Sequence, residues 1–257
     1  MELDAIWLGL LVAAAFAGFV DAVAGGGGMI QVPALFAALP RESPAALFGT
    51  NKLASIFGTM NAARRYVREV DMAWGIAIPV AVSAFVFSFF GAATVAWLPK
   101  EVVRPLVLWL LVAVAIYTWM KPDFGRQAQA PRVPSRYLLA AAVLVGVVLG
   151  FYDGFFGPGA GSFMIFAFVR LFGMDFLHAS ATAKIVNAAT NAGALLLFAP
   201  QGHVLWALGL GMAVCNIAGA QIGSRLAIRH GSGFVRAVFL AMTTLLIAKI
   251  GWDTLFA

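Results

Sequence analysis

The sequence contains little charge and almost no cysteine. Only 11% of the 257 residues are charged, whereas 62% are hydrophobic. A soluble domain of this length needs far more charge to cover its surface, so the composition excludes an ordinary soluble globular protein. The single cysteine, Cys215, excludes a disulfide within the chain and any cluster of cysteine and histidine ligands for a metal. We therefore expect neither a metal site nor a cofactor.

The net charge of +6 does not predict nucleic-acid binding, because the basic residues lie in short segments between apolar runs. That distribution is typical of membrane proteins, in which it sets the orientation. A helix needs about 20 apolar residues to cross a bilayer. The first run follows no basic segment, so we expect it to stay in the protein and not to be removed as a signal peptide. Eight long runs cover approximately residues 5–23, 44–63, 72–98, 102–120, 137–156, 177–199, 204–228 and 234–255. The sequence thus predicts an all-α integral membrane protein.

Two further apolar runs, 29–39 and 160–172, are too short to cross comfortably, and each follows a glycine-rich break. The first break ends in four consecutive glycines, and the second has glycines on both sides of Pro158. Helix packing explains glycine pairs at GxxxG spacing but not these clusters. Non-helical backbone at membrane depth survives only where it is buried in protein or lines a cavity. The breaks are therefore candidate binding elements.

The two halves of the chain are related by a constant offset of 132 residues. Apolar matches carry little information in so hydrophobic a chain, but matches of charged residues and tryptophan at one offset indicate an internal duplication. The hydrophilic segment 121–136 contains three prolines and is predicted to link a membrane repeat of residues 1–120 to one of residues 137–257. The matched pairs include Asp21 with Asp153, Lys52 with Lys184, Trp74 with Trp206, and Arg104 with Arg236.

Each repeat is predicted to cross the membrane five times if the glycine break reverses the chain. An odd number of crossings inverts the second repeat relative to the first, as in many secondary transporters. The loops of one side then contain eleven basic residues, which favours the cytoplasm for that side and the exterior for both termini. These residues are Arg64, Arg65, Arg68, Lys121, Arg126, Arg132, Arg136, Arg170, Arg225, Arg229 and Arg236, against Arg41, Lys100 and Arg104 on the other side.

A short helix is predicted to begin after each break, near Met29 and Ala160. Its first amide groups have no partner within the helix, and its dipole is positive at that end, which favours an anion. Glycine also allows an anion to approach the backbone closely. The predicted binding segments are Gly25, Gly26, Gly27, Gly28 and Met29 in the first half, and Gly157, Pro158, Gly159, Ala160, Gly161 and Ser162 in the second.

Four ionisable residues lie inside apolar runs: Asp21, Lys52, Asp153 and Lys184. At 1.5 Å per residue, the lysines lie about 12 Å and about 10 Å into their runs, and ionisable residues at such depth indicate function. Two structural alternatives remain open: each lysine could extend to the interface, or Lys52 could pair with Asp21 and Lys184 with Asp153. The aspartates could orient the breaks or carry a proton. Polar residues near the lysines complete the predicted anion site: Thr50, Asn51, Ser55, Thr182, Asn187 and Asn191.

Three segments resemble the sulfite exporter TauE/SafE family. They are Asp-Gly-Phe-Phe-Gly-Pro-Gly-Ala-Gly-Ser-Phe at 153–163, Gly-Thr-Asn-Lys-Leu-Ala-Ser-Ile-Phe-Gly-Thr at 49–59, and Ala-Thr-Ala-Lys-Ile-Val-Asn-Ala-Ala-Thr-Asn at 181–191. The resemblance covers nearly the whole chain. It implies a permease of the bacterial inner membrane that moves small sulfur-containing anions such as sulfite, thiosulfate or organosulfonates like sulfoacetate.

The expected function is therefore a secondary transporter, in the direction of export, with one repeat rocking against the other. Its expected partners are the anion and membrane lipid, with a homodimer left open. A passive small-anion channel and an importer are the alternatives. A membrane enzyme would need a nucleophile with its base, or metal ligands, and the sequence contains no such motif.

The charge bias predicts that the linker 121–136 is cytoplasmic. In a Cys215→Ala background, Ala128→Cys should therefore not react with a membrane-impermeant thiol reagent in intact cells, whereas Gln201→Cys in the uncharged opposite loop should react. Labelling before and after permeabilisation measures this. Reaction at position 128 in intact cells would reverse the predicted orientation.

Overall fold

The computed structural model describes residues 2–95, 125 and 127–256, with side chains for 5–95, 125 and 127–245. These residues form helices and connecting turns without a strand. The predicted run 102–120 lies outside the described residues. The helices are α1 (Glu2–Ala24), α2 (Gly28–Ala38), α3 (Pro44–Glu69), α4 (Trp74–Ala93), α5 (Leu138–Phe155), α6 (Ala160–Phe172), α7 (Phe176–Phe198) and α8 (Trp206–Phe256), with a 3-10 turn at Ser135–Tyr137 before α5.

Helices α3 and α7 begin where the local sequence favours a helix start. Ser43 accepts a hydrogen bond from the Ala46 amide and precedes Pro44, a suitable first residue of α3. Asp175 caps α7 in the same way through the His178 amide. The starts of α2, α3 and α4 precede those of α6, α7 and α8 by 132 residues each. Helix starts therefore follow the periodicity of the sequence, while the inversion of one half relative to the other stays a prediction.

The last helix covers both of the expected runs, 204–228 and 234–255, and is divided between them. Helix α8 continues through both, and its backbone departs from helical geometry at Gly231, where φ is 70° and ψ is −165°. A residue with a Cβ atom rarely adopts this conformation, so glycine divides α8 into two helices at this point. Beyond it, the Ser232 hydroxyl donates to Asp175 at 2.8 Å, next to the start of α7.

Four helical segments of the described chain are long and apolar enough to cross a membrane: Ala5–Ala24, Trp74–Ala93, Ser135–Phe155 and Trp206–Leu245. Large apolar side chains on them face outward, including Leu8, Val12, Val82, Leu144 and Val214. This outward apolar surface suits contact with lipid. By contrast, α3 and α7 carry most of the buried polar side chains and lie at the centre of the molecule.

Glycines allow two helix pairs to pack backbone against backbone. In the pair of α1 and α8, a Cβ atom on Gly18 would overlap the Asn216 carbonyl, and one on Gly219 would overlap the Ala15 carbonyl. In the pair of α4 and α5, a Cβ atom on Gly150 would overlap the Ala84 backbone. The first helix of each half thus packs on the fourth helix of the other half. The two halves are interlocked through these pairs.

The described part of the linker follows the turn between α6 and α7. The Gln129 amide donates to the Gly173 carbonyl at 2.7 Å, and the Arg132 amide donates to the Leu171 carbonyl at 3.0 Å. The Phe176 amide in turn donates to the Gly125 carbonyl at 2.8 Å. The linker therefore lies beside the end of α6, a segment that the charge pattern assigns to the same side of the membrane.

The close packing of α4 and α5 predicts that Gly150→Ala destabilises the protein. Overpacking a tight interface typically costs about 1–3 kcal/mol, because the added methyl forces the backbones apart. Gly9→Ala is the matched control, since Gly9 is also helical and a Cβ atom there would meet nothing within 4 Å. Melting temperatures in detergent should fall for Gly150→Ala and stay constant or rise slightly for Gly9→Ala. Equal melting temperatures would contradict the packing.

Candidate functional site

The two glycine breaks meet in the interior. Gly25, at the first break, has a φ of 76° and packs directly on the backbone of Gly161, so that a Cβ atom on either glycine would overlap the other residue. Gly157 and Gly159 have φ values of 84° and 85°. These left-handed conformations, together with the close approach, explain why glycine occupies the breaks. The first break is tied to the second half by Ser162, which donates to the Ala24 carbonyl at 3.0 Å.

The short helices after the breaks begin without side-chain caps. Gly27 precedes α2 and Gly159 precedes α6, and neither residue can supply a capping oxygen. At each start, the backbone makes its own turn: the Ile30 amide donates to Gly27 at 3.0 Å, and the Phe163 amide donates to Gly159 at 3.0 Å. An uncapped helix start keeps its partial positive charge, which attracts an anion.

The four buried ionisable residues form two ion pairs, and both pairs cross between the halves. The Lys52 ammonium lies 2.7 Å from Asp153 Oδ1, and the Lys184 ammonium lies 3.0 Å from Asp21 Oδ2. Lys184 also donates to the main-chain carbonyl of Asp21. The alternative of pairing within each half, Asp21 with Lys52 and Asp153 with Lys184, is therefore wrong. Each lysine side chain instead reaches the aspartate near the end of the first helix of the other half.

The lysines do not extend to an interface. Lys52 is 2% exposed and Lys184 is fully buried, and their partners Asp21 and Asp153 are 9% and 3% exposed. A buried charge is tolerated only with a counter-ion and hydrogen bonds. Each pair is neutral, so the four charges together add no net charge to the interior. The interface alternative for the lysines is thus wrong as well.

Hydroxyl and amide groups complete the coordination of the carboxylates. Asp21 lies 3.4 Å from the Thr59 hydroxyl and 3.5 Å from the Asn187 amide nitrogen. Asp153 accepts a hydrogen bond from Thr190. The second pair also contacts the second break, because a Cβ atom on Gly157 would lie 3.3 Å from the Asp153 carboxylate and 3.4 Å from the Lys52 ammonium. One ion pair therefore lies against the glycine segment that precedes α6.

The other predicted site residues take different positions. Asn191 donates to Asn187 at 3.4 Å, and the Pro158 carbonyl accepts from Tyr152 at 2.6 Å. Thr50 and Thr182 bond to main-chain carbonyls one turn earlier, at 2.6 and 2.9 Å, and Thr50 also accepts the Leu205 amide. These two hydroxyls therefore bond to main chain and not to the lysines. The Ser55 carbonyl accepts the Thr59 hydroxyl, and Met29 packs against Gly159.

Gln31, Asn216 and Thr190 are among the buried polar residues that the sequence did not predict. Gln31 donates to the Asn51 carbonyl at 3.4 Å and accepts from Asn216 at 3.1 Å, while the Asn51 side-chain oxygen is buried without a hydrogen-bond partner. Thr190 was missed although it follows Asn187 at helical spacing. Gln31 and Asn216 have apolar counterparts in the other half, so a comparison of repeats does not find them. Their only sequence signal is a polar residue inside an apolar run.

The crossed geometry predicts which second substitution rescues a lysine variant. Lys52→Met should destabilise the protein, because breaking a buried pair from one side costs about 3–5 kcal/mol. Asp153→Asn should then restore the melting temperature, since it removes the unpaired charge. The matched control is Lys52→Met with Asp21→Asn, which leaves Asp153 unpaired and should not restore it. Rescue by Asp21→Asn instead would contradict the crossed pairing.

Comparison with known proteins identifies the family of this chain. Residues 10–250 match the family described as sulfite exporter TauE/SafE. The chain is 37% identical to the probable membrane transporter protein YfcA of Escherichia coli K12 over 95% of this chain and 89% of the relative. It is 38% identical to the probable membrane transporter protein ORF9 of a Sinorhizobium species, over 94% of this chain and 90% of that relative. It is 34% identical to a probable membrane transporter protein of Haemophilus influenzae, over 98% of this chain and 98% of that relative. No solved structure matches. With its apolar helices and buried charges, the chain therefore belongs to the sulfite exporter TauE/SafE family of membrane transporters and is not an enzyme.

Proposed function

We propose that the protein is a secondary transporter that exports small sulfur-containing anions across the bacterial inner membrane by alternating access. The observation that carries the proposal is the pair of buried lysines in a chain of this transporter family. Each lysine lies at a glycine break: Lys52 lies beside Gly157, and Lys184 donates to the carbonyl of Asp21, four residues before Gly25. The family description names sulfite, and we propose thiosulfate and sulfoacetate as further anions of the same chemical class.

The lysines and the helix starts are the proposed anion ligands. An ammonium group is a compact charge that suits an oxyanion which must later leave. The uncapped starts of α2 and α6 add amide donors and partial positive charge. Both lysines hold a carboxylate in this structure, and the proposed anion takes the place of Asp153 or Asp21. The displaced carboxylate then orients the break or takes up a proton, which compensates the added negative charge.

Occlusion of the site favours a transporter over a passive channel. A channel needs a continuous path with weak binding at several positions. Here Lys184 is fully buried and Lys52 nearly so, and the backbones of the two breaks are in contact. Alternating access accounts for such a closed state, in which both sides are sealed. The inverted repeats, the external termini and the cytoplasmic linker complete the proposed arrangement, and import of a related anion is the second direction to test.

The proposed site predicts which variants lose the anion. Purified protein is titrated with sulfite, thiosulfate, sulfate, sulfoacetate and taurine, and its melting temperature is recorded. A ligand present at 100 times its Kd stabilises the folded state by about 2.7 kcal/mol, so a substrate should raise the melting temperature. The double variant Lys52→Met with Asp153→Asn should be folded and should lose this rise, because a sulfonate or sulfite still needs the cation.

Counterflow of the stabilising anion in proteoliposomes then distinguishes a transporter from a passive channel. A transporter should show saturable uptake that increases when the same anion is present on the other side, and the double variant should show none. Uptake that does not saturate would favour a channel. Retention of near-normal affinity in the double variant would assign the lysine a structural role, leaving the helix starts as the anion site.

A further inference from the structure

The helices group into two units that do not coincide with the sequence halves. In the described chain, α1 packs most closely on α8, and α3 packs on α8 as well. In the same way, α4 packs on α5 and on α7. We define unit A as α1, α2, α3 and the part of α8 before Gly231, and unit B as α4, α5, α6 and α7. The fourth helix of each half has thus been exchanged, because α4 belongs to unit B and α8 to unit A.

The interfaces within each unit are closed by backbone contact. In unit A, Gly18 and Gly219 hold α1 against α8, and a Cβ atom on Gly58 of α3 would overlap the Asn216 side chain. In unit B, Gly150 holds α5 against α4, and a Cβ atom on Gly193 of α7 would overlap the Phe85 carbonyl of α4. Interdigitated backbones cannot slide without separating. Each unit is therefore built to move as one body.

The interface between the units combines backbone contact with polar and ionic side-chain contacts. It includes α3 against α7, the backbone contact of the two breaks at Gly25 and Gly161, and side-chain bonds such as that of Ser180 to the Val23 carbonyl at 2.8 Å. Both buried ion pairs lie in this interface. Lys52 of unit A holds Asp153 of unit B, and Lys184 of unit B holds Asp21 of unit A.

We propose that units A and B, and not the two sequence halves, are the bodies that move during transport, and that the two crossed ion pairs are latches between them. The proposal rests on the proposed function and specifies its conformational change. An anion that takes the place of the carboxylate at Lys52 or Lys184 separates that lysine from its aspartate. Binding therefore opens a latch between the units, so that substrate and movement are coupled through one contact. In the described chain, residues 70–73 and 199–205 connect the units and would act as hinges.

Spin labels test the proposal without a substrate. In a Cys215→Ala background, cysteines replace Val12 with Val214, or Val12 with Val82, all three of which are exposed. The first pair lies in different halves but in one unit, and the second lies in one half but in different units. Electron paramagnetic resonance distances are compared between the protein with intact latches and the variant carrying Lys52→Met, Asp153→Asn, Lys184→Met and Asp21→Asn.

Removing the latches should shift or broaden the distance distribution for Val12 and Val82 and leave that for Val12 and Val214 unchanged. A change for Val12 and Val214 would show that the halves move, which would overturn the exchanged units. No change for either pair would overturn the latches. Because this measurement needs no transported anion, its failure is distinct from failure of the proposed substrate class.

Cross-linking provides the same test with intact latches, in case the fourfold variant does not fold. Cysteines at Leu11 and Gly211 join α1 to α8 within unit A, and a Cβ atom on Gly211 would lie 3.5 Å from the Leu11 side chain, which leaves room for the change. Cysteines at Phe48 and Phe156, whose rings are 6.3 Å apart, join the two units.

A bifunctional thiol reagent should abolish counterflow of labelled sulfite or thiosulfate only for Phe48 with Phe156. Loss of counterflow on joining Leu11 to Gly211 would overturn the proposal, since that link ties the halves but not the units. If neither protein moves an anion before cross-linking, the substrate class is wrong and the spin-label distances alone decide.

Discussion

The two buried ion pairs are the interaction on which the rest of the structure depends. Charges in an apolar interior are stable only with a partner at contact distance and with hydrogen bonds for the remaining atoms. Lys52 with Asp153 and Lys184 with Asp21 satisfy this requirement across the two halves, so that neither half can hold its charges neutral alone. The same arrangement joins the ends of α1 and α5 to α3 and α7, and thereby brings the glycine breaks to the lysines.

Glycine determines how closely the helix backbones approach each other. Along α1 with α8 and along α4 with α5 it removes the side chain that would keep the helices apart, and at the breaks it permits positive φ. Packing of this kind is typical of membrane helices. Lipid tails are as apolar as the side chains, so close packing, and not the hydrophobic effect, holds the helices together. One residue type therefore produces both the rigid helix pairs and the irregular segments that approach the charged centre.

Sequence periodicity and composition predicted much of the fold and part of the site. The apolar runs correspond to the described helices, and the short helices begin at Gly28 and Ala160, close to the expected positions. Asp21, Asp153, Lys52 and Lys184 were identified as a group because charge is rare in apolar runs. The pairing of each lysine with its aspartate was not predicted, since a pattern along the chain does not show which of two equivalent helices a side chain contacts. The division between the runs 204–228 and 234–255 was also predicted, and Gly231 lies within it.

Gln31 and Asn216 break the equivalence of the two halves. Gln31 corresponds to Phe163, and Asn216 to Ala84, so an amide network occupies one side of the centre where the other has an aromatic ring and a methyl group. Under the proposed alternating access, a perfectly duplicated and inverted chain would have inward-facing and outward-facing states of equal energy. An amide network on a single side would make those states unequal, and a difference of only about 1 kcal/mol changes their ratio about fivefold. In the proposed mechanism, these two amide side chains would therefore contribute to a bias toward one resting orientation.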